Sequence, residues 1–349
     1  MYKVILITGN GEQGKDILRQ TPQSLGVSQC GKYQFYVNEL IPDPDFVVIR
    51  GKSLKQKKTF HVAPENLILT TSEPYSVLSY PKSYCKQFGL VCSCQEQLKH
   101  HNIIYTPALL SWYVGLKFKD GKVIPQMGYD DFKNQKSVSK SKLISVITSN
   151  KAFTQGHQDR ISFVEKLKAH YGDQLDVFGK GFCDFEDKWD VLAPYKYHIA
   201  IENSSSNYYW TEKLSDCYLA ETYPIYHGCK NVHDYFPQNA LCTIDIHDVE
   251  KSIKIIDSII SDNTHFENNL PLLRECKELV LEDYNIFNYI AMCLDKLNPT
   301  LPKTDVVVHP AKTMSDWHNI YLNVIGRNSF KIKNTIRSLF IGKSKLYNK

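Results

Sequence analysis

The segment Pro194–Gly228, PYKYHIAIENSSSNYYWTEKLSDCYLAETYPIYHG, reads as one β-loop-α-β unit. His198 to Ile201 is a short apolar run suited to a buried parallel strand, and it stops at Glu202-Asn203. A polar loop, Ser204 to Asn207, leads into the aromatic trio Tyr208, Tyr209 and Trp210. Thr211 can cap a helix that opens with Glu212-Lys213 and turns Leu214, Cys217 and Tyr218 inward. Tyr223 to Tyr226 returns as a second strand, closed by Gly228. In such units ligands bind beyond the carboxyl ends of the strands, where helix N-termini offer free N–H groups to anions. That spot gathers an amide (Asn203), a phenol (Tyr209), a carboxylate (Glu212) and an ammonium (Lys213). A carboxylate can grip the vicinal hydroxyls of a ribose while the lysine neutralises phosphate. The set suits a nucleoside diphosphate.

Outward from this unit the alternation of strands and helices continues. Leu143 opens an earlier unit: strand LISVIT, a loop, a helix from His157 to His170 with Gly172 behind it, then strand Leu175–Phe178. A strand is predicted near Ala240–Ile244, and helices over Val249–Ser261 and Leu270–Leu297. Before residue 117, strand-like runs stand at Lys3–Thr8, Tyr33–Val37, Phe46–Arg50, Leu67–Thr71 and Leu90–Ser93, with a helix-like pattern from Val77 to Phe88. The polar, lysine-rich stretch Lys117–Lys142 suits a connection with room for a short hairpin. A chain of 349 residues exceeds one typical core and suits two. The expected division is 1–116, a connection 117–142, a second unit 143–310, and a tail 311–349. Both units are expected to be α/β and Rossmann-like, facing each other across a cleft.

Composition excludes several classes. The net charge is +5, but from Trp317 to Lys349 there are seven Lys/Arg and no Asp/Glu, leaving 35 basic against 37 acidic residues elsewhere. The body is therefore no basic nucleic-acid binder. In the tail, Ile332, Ile336, Leu339 and Phe340 share one helical face while Lys331, Lys333, Arg337 and Lys343 crowd the rest, a pattern that can lie on an anionic membrane. Apolar runs such as Val4–Ile7 fall far short of the roughly 20 residues that span a bilayer. No signal peptide is expected, because Gly9, Asn10 and Glu12 interrupt the first run. The ten cysteines are scattered without a CxxC pair and read as small reduced hydrophobes.

Two N-terminal matches have weaker support. Gly9-x-Gly11-x-x-Gly14 after strand VILIT fits the dinucleotide fingerprint, but the second strand ends in Asn38-Glu39, a loose candidate for the acidic partner. As a P-loop it fails, since Asp16 stands where Ser/Thr must hold magnesium. It reads as a glycine loop bordering the cleft, with a nucleotide-binding oxidoreductase as the alternative. Asp43-Pro44-Asp45 matches a metal-binding DxD, yet proline between the acids and a strand just after suggest a turn.

The pattern Y-K-(apolar)-E-N-S, Tyr209-x-Thr211-Glu212-Lys213-Leu214 and Tyr223-Pro224-(apolar)-Tyr226-x-Gly228 resembles the donor-site signature of the family 10 glycosyltransferases, the α-1,3/4-fucosyltransferases, and most of all their bacterial members. The resemblance is strongest from Ile144 to Asp248, with fainter similarity at LILTTSEP and TPALLSWYVG. It implies the GT-B architecture, with the active site between the two units. The S-N-x…R-x-x-F pattern implies that Arg160, followed by Phe163, binds the donor pyrophosphate. Asn203, Tyr209, Glu212 and Lys213 would hold the rest of the donor. Glu73 matches the glutamate proposed to deprotonate the acceptor, although Ser72 replaces the family's usual glycine before it.

The implied reaction is inverting, metal-independent transfer of L-fucose from GDP-β-L-fucose to an acceptor glycan. No cofactor is expected beyond the donor. An α-1,3 linkage to GlcNAc or glucose of a surface polysaccharide is the expected product, and another GDP-sugar is the alternative donor. Animal members carry an N-terminal membrane helix; its absence here suggests a cytoplasmic enzyme, peripheral on the membrane's inner face, or a shortened chain.

Overall fold

The computed structural model describes residues 1–9, 11–109, 111–148 and 155–314. The basic tail face from Lys331 onward and Ser149-Asn150 of the arginine motif lie outside the described residues.

The first half contains strands β1 (Tyr2–Ile7), β2 (Tyr33–Val37), β3 (Phe46–Arg50), β4 (Lys58–Val62) and β5 (Leu67–Thr70), the one-turn helix α1 (Lys82–Cys85), then β6 (Leu90–Ser93) and β7 (Ile103–Tyr105). All except β4 form a six-stranded parallel sheet in the order β2-β1-β3-β5-β6-β7. Alternation along β1 divides its side chains between two cores: Val4 and Leu6 on one face, Ile5 and Ile7 on the other. The helix predicted over Val77–Phe88 is reduced to α1, because Pro81 interrupts it and becomes the N-cap.

A hairpin follows, β8 (Leu116–Lys119) and β9 (Lys122–Pro125), then helix α2 (Tyr129–Asn134). The second half runs β10 (Lys142–Ile147), α3 (Gln155–Tyr171), β11 (Leu175–Phe178), α4 (Lys188–Leu192), β12 (Tyr195–Ile201), α5 (Glu212–Leu219), β13 (Tyr223–His227), β14 (Cys242–Thr243), α6 (Val249–Ile260), α7 (His265–Glu282), α8 (Ile286–Leu294) and β15 (Thr304–Val308). Its five-stranded sheet is parallel, in the order β11-β10-β12-β13-β14. Continuous apolar runs such as Tyr197–Ile201 suit strands covered on both faces.

Two expectations change. Leu270–Leu297 is two helices, broken at Asp283–Asn285, where the Asn285 side chain accepts the N–H of Phe287 and caps α8. Residues beyond Ile286 were expected in the second unit but pack on the first sheet. Ile286, Phe287, Ile290 and Leu294 share a core with Val4, Leu6, Phe35 and Val48. β15 pairs antiparallel with β4 over the opposite face, where Phe60, Val62 and Val308 are buried. The burial face of α8 is visible in its sequence, but not which sheet it will cover.

In each sheet the strand order reverses once: between β1 and β3 in the first, and between β10 and β12 in the second. Crevices open at the carboxyl ends of such strand pairs. Both crevices are present here.

Candidate active site

The crevice of the second sheet is a cavity of about 530 Å³, whose walls include Thr148 past β10, Ile201 and Asn203 at the end of β12, and Arg160, Lys188, Glu212 and Lys213. Glu202, the residue after β12, is buried and organises the start of α5. Its carboxylate accepts the Thr211 N–H at 2.8 Å, the Thr211 hydroxyl at 2.8 Å, and the Lys213 ammonium at 3.2 Å. Thr211 in turn caps α5 by accepting the N–H of Lys213. Gly228 is required behind this cluster, since a Cβ there would stand 2.4 Å from the Glu202 side chain.

Lys213 lies between Glu202 and Glu212, the latter 3.3 Å away. Burial opposes its charge, yet the two carboxylates hold its ammonium well above the ordinary lysine value. Against its own burial, Glu212 is pulled down to about 2 by Lys213 and Lys188. Lys188 also donates to Asp216 at 2.9 Å and stands 5.4 Å over the ring of Tyr113. Asp216, fully buried one turn along α5, accepts the Tyr113 N–H at 3.0 Å. Helix α5 therefore fixes Tyr113 as well as its own terminal charges.

Arg160 lies in the second turn of α3, not in the first turn that a helix start at His157 predicts, and donates to the Asn203 amide oxygen at 2.6 Å. Its Nε is buried without a partner among the described residues. A buried guanidinium with one arm satisfied is prepared for an oxyanion. His198 also lines this cavity; burial, aided by Lys188, lowers its imidazole to about 3, so it is neutral and bonded to Ser145 at 2.8 Å.

The crevice of the first sheet is a second cavity, about 730 Å³, lined by Thr8 and Gly9 past β1, Arg50 and Gly51 at the end of β3, and Glu73 past β5. Tyr113 lines both cavities, so they meet at its ring. Burial raises the Glu73 carboxyl; Lys213 and Arg50 oppose the shift and Glu212 adds to it. The Glu73 backbone is held by the Gln95 amide at 2.7 Å.

Of the sequence-derived residues, Arg160, Asn203, Glu212 and Lys213 come together in the first cavity and Glu73 stands in the second. Tyr209 does not line either cavity. It is 1% exposed and packs with Cys94 and Ala108, its ring drawn into an apolar contact between the two halves. Its hydroxyl nonetheless feels Glu202, Glu73 and Glu212, which add to burial in raising it. Sequence reasoning missed Lys188, Asp216, Arg50 and the organising role of Glu202. Asp216 was readable as the i+4 neighbour of Glu212 on the same helix; the others depend on contacts between distant segments.

The glycine loop borders the second cavity through Gly9 and Gly14. Gly9 has φ +84°, and a Cβ would stand 2.7 Å from that of Ser53. A 3-10 helix, Gly11–Gln20, follows instead of the α-helix a dinucleotide site uses. Asn38 accepts the Thr8 N–H at 2.8 Å, closing the end of β1. Asp43 and Asp45 are both paired to Lys303, at 2.8 and 3.0 Å, in a bend outside both cavities. Among the described residues no cluster of three or more His, Cys, Asp and Glu could hold a metal ion, and no helix is long and apolar enough to cross a membrane.

Comparison with known proteins bears on residues 137–278, which match the model of glycosyltransferase family 10 (fucosyltransferase), C-terminal part. The α-(1,3)-fucosyltransferase FucT of Helicobacter pylori is 33% identical over 90 residues, 26% of this chain and 18% of that protein. The GDP-fucose protein O-fucosyltransferase 3 of Danio rerio is 30% identical over 95 residues, 23% of this chain and 20% of that protein. The matched stretch thus spans about a fifth of the curated relatives' length. An α1,3-fucosyltransferase crystallised with GDP is similar at a TM-score of 0.49 and 15% identity, covering 82% of this chain and 92% of its own. A glycosyltransferase from Rickettsia africae gives 0.48 and 10%, covering 85% and 98%. At these scores the structural likeness decides nothing about the site. The family match covers β10 to most of α7, with Arg160, Asn203, Glu212 and Lys213 inside it, and this segment of the chain is similar to the family 10 glycosyltransferases, the fucosyltransferases.

Proposed function

We propose that the chain transfers L-fucose from GDP-β-L-fucose to a hydroxyl of an acceptor glycan, with inversion at the sugar. The observation that carries this reading is the meeting of two crevices at Tyr113, one with Arg160 and Lys213 and the other with Glu73. The first suits a nucleoside diphosphate at a strand-order reversal. Its volume lies in the range of a small-molecule site.

In the proposed reaction GDP departs from a sugar with cationic character, and the barrier falls as the charge on the leaving diphosphate is stabilised. Arg160 supplies an Nε without a partner among the described residues, and Lys213 an ammonium fixed by Glu202. Glu212 and Asn203 orient the nucleotide, with the Glu212 carboxylate ionised for the ribose hydroxyls. Glu73, its pKa raised by burial, takes the acceptor proton from the opposite side. Tyr209 supports the wall behind the donor site. The acceptor side is assigned to residues 1–116 and the donor side to the matched segment, in a GT-B arrangement; α-1,3 linkage is the working regiochemistry. The basic tail would bring the enzyme to an anionic membrane where lipid-linked glycans reside.

The test is a GDP-fucose transfer assay on an acceptor panel, with GDP-mannose and NAD as competing ligands in thermal-shift measurements. GDP stabilisation with fucose transfer is expected. Stabilisation by NAD without any GDP effect would move the function to the Gly9–Gly14 loop.

A further inference from the structure

We infer that the crevice of the first sheet is built for an anionic sugar, its carboxylate or phosphate held by Arg50. This rests on the acceptor-side reading of that cavity and specifies its substrate class.

Arg50 is the last residue of β3 and lies at the strand-order reversal between β1 and β3, where a ligand of such a sheet binds. Its side chain is half-buried in the cavity wall and has no hydrogen bond or ion pair among the described residues. Burial lowers its pKa, and Tyr113, Tyr80 and Glu73 offset this only as neighbouring charges or dipoles. A guanidinium remains charged under these conditions, so a partly desolvated one without a partner is a standing cost that a bound anion relieves. A second such group stands beside it: the Tyr80 hydroxyl, next to Gly51, is buried without a hydrogen-bond partner among the described residues.

The rest of the wall has the same sign. Lys52, Lys55 and Arg19 join Arg50 on the cavity lining, Arg19 being committed to the carbonyls of Trp112 and Met127; the acids are Asp16 and Glu73. The donor cavity differs, since its Lys188 and Lys213 are matched by carboxylates of the chain itself. In that cavity Arg160, its Nε without a partner among the described residues, is the cation open to the pyrophosphate, and Arg50 is left for the other substrate. Tyr113 and Phe118 also line the cavity, their rings in edge contact 6.2 Å apart, a surface against which a pyranose ring can lie.

The test measures binding of methyl β-glucuronide, methyl β-glucoside 6-phosphate and methyl β-glucoside to GDP-saturated full-length protein by calorimetry, with GDP binding and fucose transfer followed separately. At least one acid should bind about tenfold or more tighter than the neutral glucoside, the range of a charge-assisted hydrogen bond. Which acid binds tighter distinguishes a carboxylate from a phosphate ligand. Arg50→Gln should erase most of that margin and Arg50→Lys restore part of it. If Arg50→Gln does not fold, the wild-type margin should still narrow with added salt and in Lys55→Gln. Equal binding of acids and glucoside, no binding of either acid, or a margin unchanged in Arg50→Gln overturns the inference. GDP binding and fucose transfer without the margin would sink this inference alone. The margin without GDP binding would sink the fucosyl reading and leave the anion site.

Discussion

The two crevices occupy equivalent positions in their sheets but handle charge in opposite ways. In the second sheet Lys213 is held by Glu202 and Glu212, and Lys188 by Asp216, so much of the site's charge is neutralised before a ligand arrives. In the first, neither Arg50 nor Glu73 has an ion pair among the described residues, and Glu73 feels the longer-range attraction of Lys213 and Arg50. A self-paired site fixes geometry in advance and suits a ligand that never changes. An under-paired site obtains its last charges from the ligand and therefore discriminates among ligands.

The largest effect that could break this contrast is at Lys213. Lys213→Ala leaves Glu202 buried without its cation, so a loss of roughly 3–5 kcal/mol in unfolding free energy is expected by denaturant titration. Transfer should also slow by about 10²-fold or more. Arg160→Ala should slow transfer by a similar factor, about 10²-fold. Its stability cost should be smaller, because its one side-chain hydrogen bond among the described residues is to a neutral amide. Equal stability losses in the two variants would refute the claim that self-pairing distinguishes the lysine.

Glu73→Ala should lower the rate by about 10²–10⁴-fold while GDP affinity, measured by calorimetry, stays intact. Loss of GDP affinity would assign Glu73 to the donor side. The pH profile sharpens the same point. A base must be ionised, so the acid limb of kcat/KM should lie above the ordinary glutamate range, following the raised Glu73 pKa. Arg50 favours the ionised form, so Arg50→Gln should move that limb to higher pH. A limb that moves down, or stays, would separate Arg50 from Glu73.

Asp216→Asn should have a moderate effect, about 1–3 kcal/mol, since it weakens the Lys188 bond and the anchor of Tyr113. KM for the acceptor should rise more than KM for the donor if Tyr113 is the shared wall. Smallest of all, Asp43→Asn should leave transfer unchanged, and EDTA should leave substantial activity. Loss of activity on chelation, restored by manganese and absent in Asp43→Asn, would show that the bend at Asp43-Pro44-Asp45 is a metal site after all.

The strands of both parallel sheets were legible where buried runs are continuous: Phe46–Arg50 and Leu175–Phe178 have the bounds their composition predicts. Strand β4, KTFHV, was not. It alternates exposed and buried residues and is stabilised by β15, more than 240 residues away in places. The break between α7 and α8 had a readable signal in Asn285, hidden by apolar residues that continue on both sides of it. At the site, Asn203, Glu212 and Lys213 were legible because one β-loop-α segment carries them all. Arg50 was not, because its meaning lies in having no partner among the described residues, which only the folded neighbourhood reveals.

The return of α8 and β15 to the first sheet also has a consequence for synthesis. One apolar face of that sheet, including Val4, Leu6 and Phe35, waits for Ile286–Leu294, and the other waits for Val308. During translation the second sheet, whose strands all lie between Lys142 and Thr243, can assemble first, although its first half precedes it from the ribosome. The N-terminal strands meanwhile remain exposed and must close a loop of some 250 residues, an arrangement with high contact order. A chaperone that shields apolar strands has its natural client in the first hundred residues of this chain, and a chain released before Ile286 would present the same surface permanently.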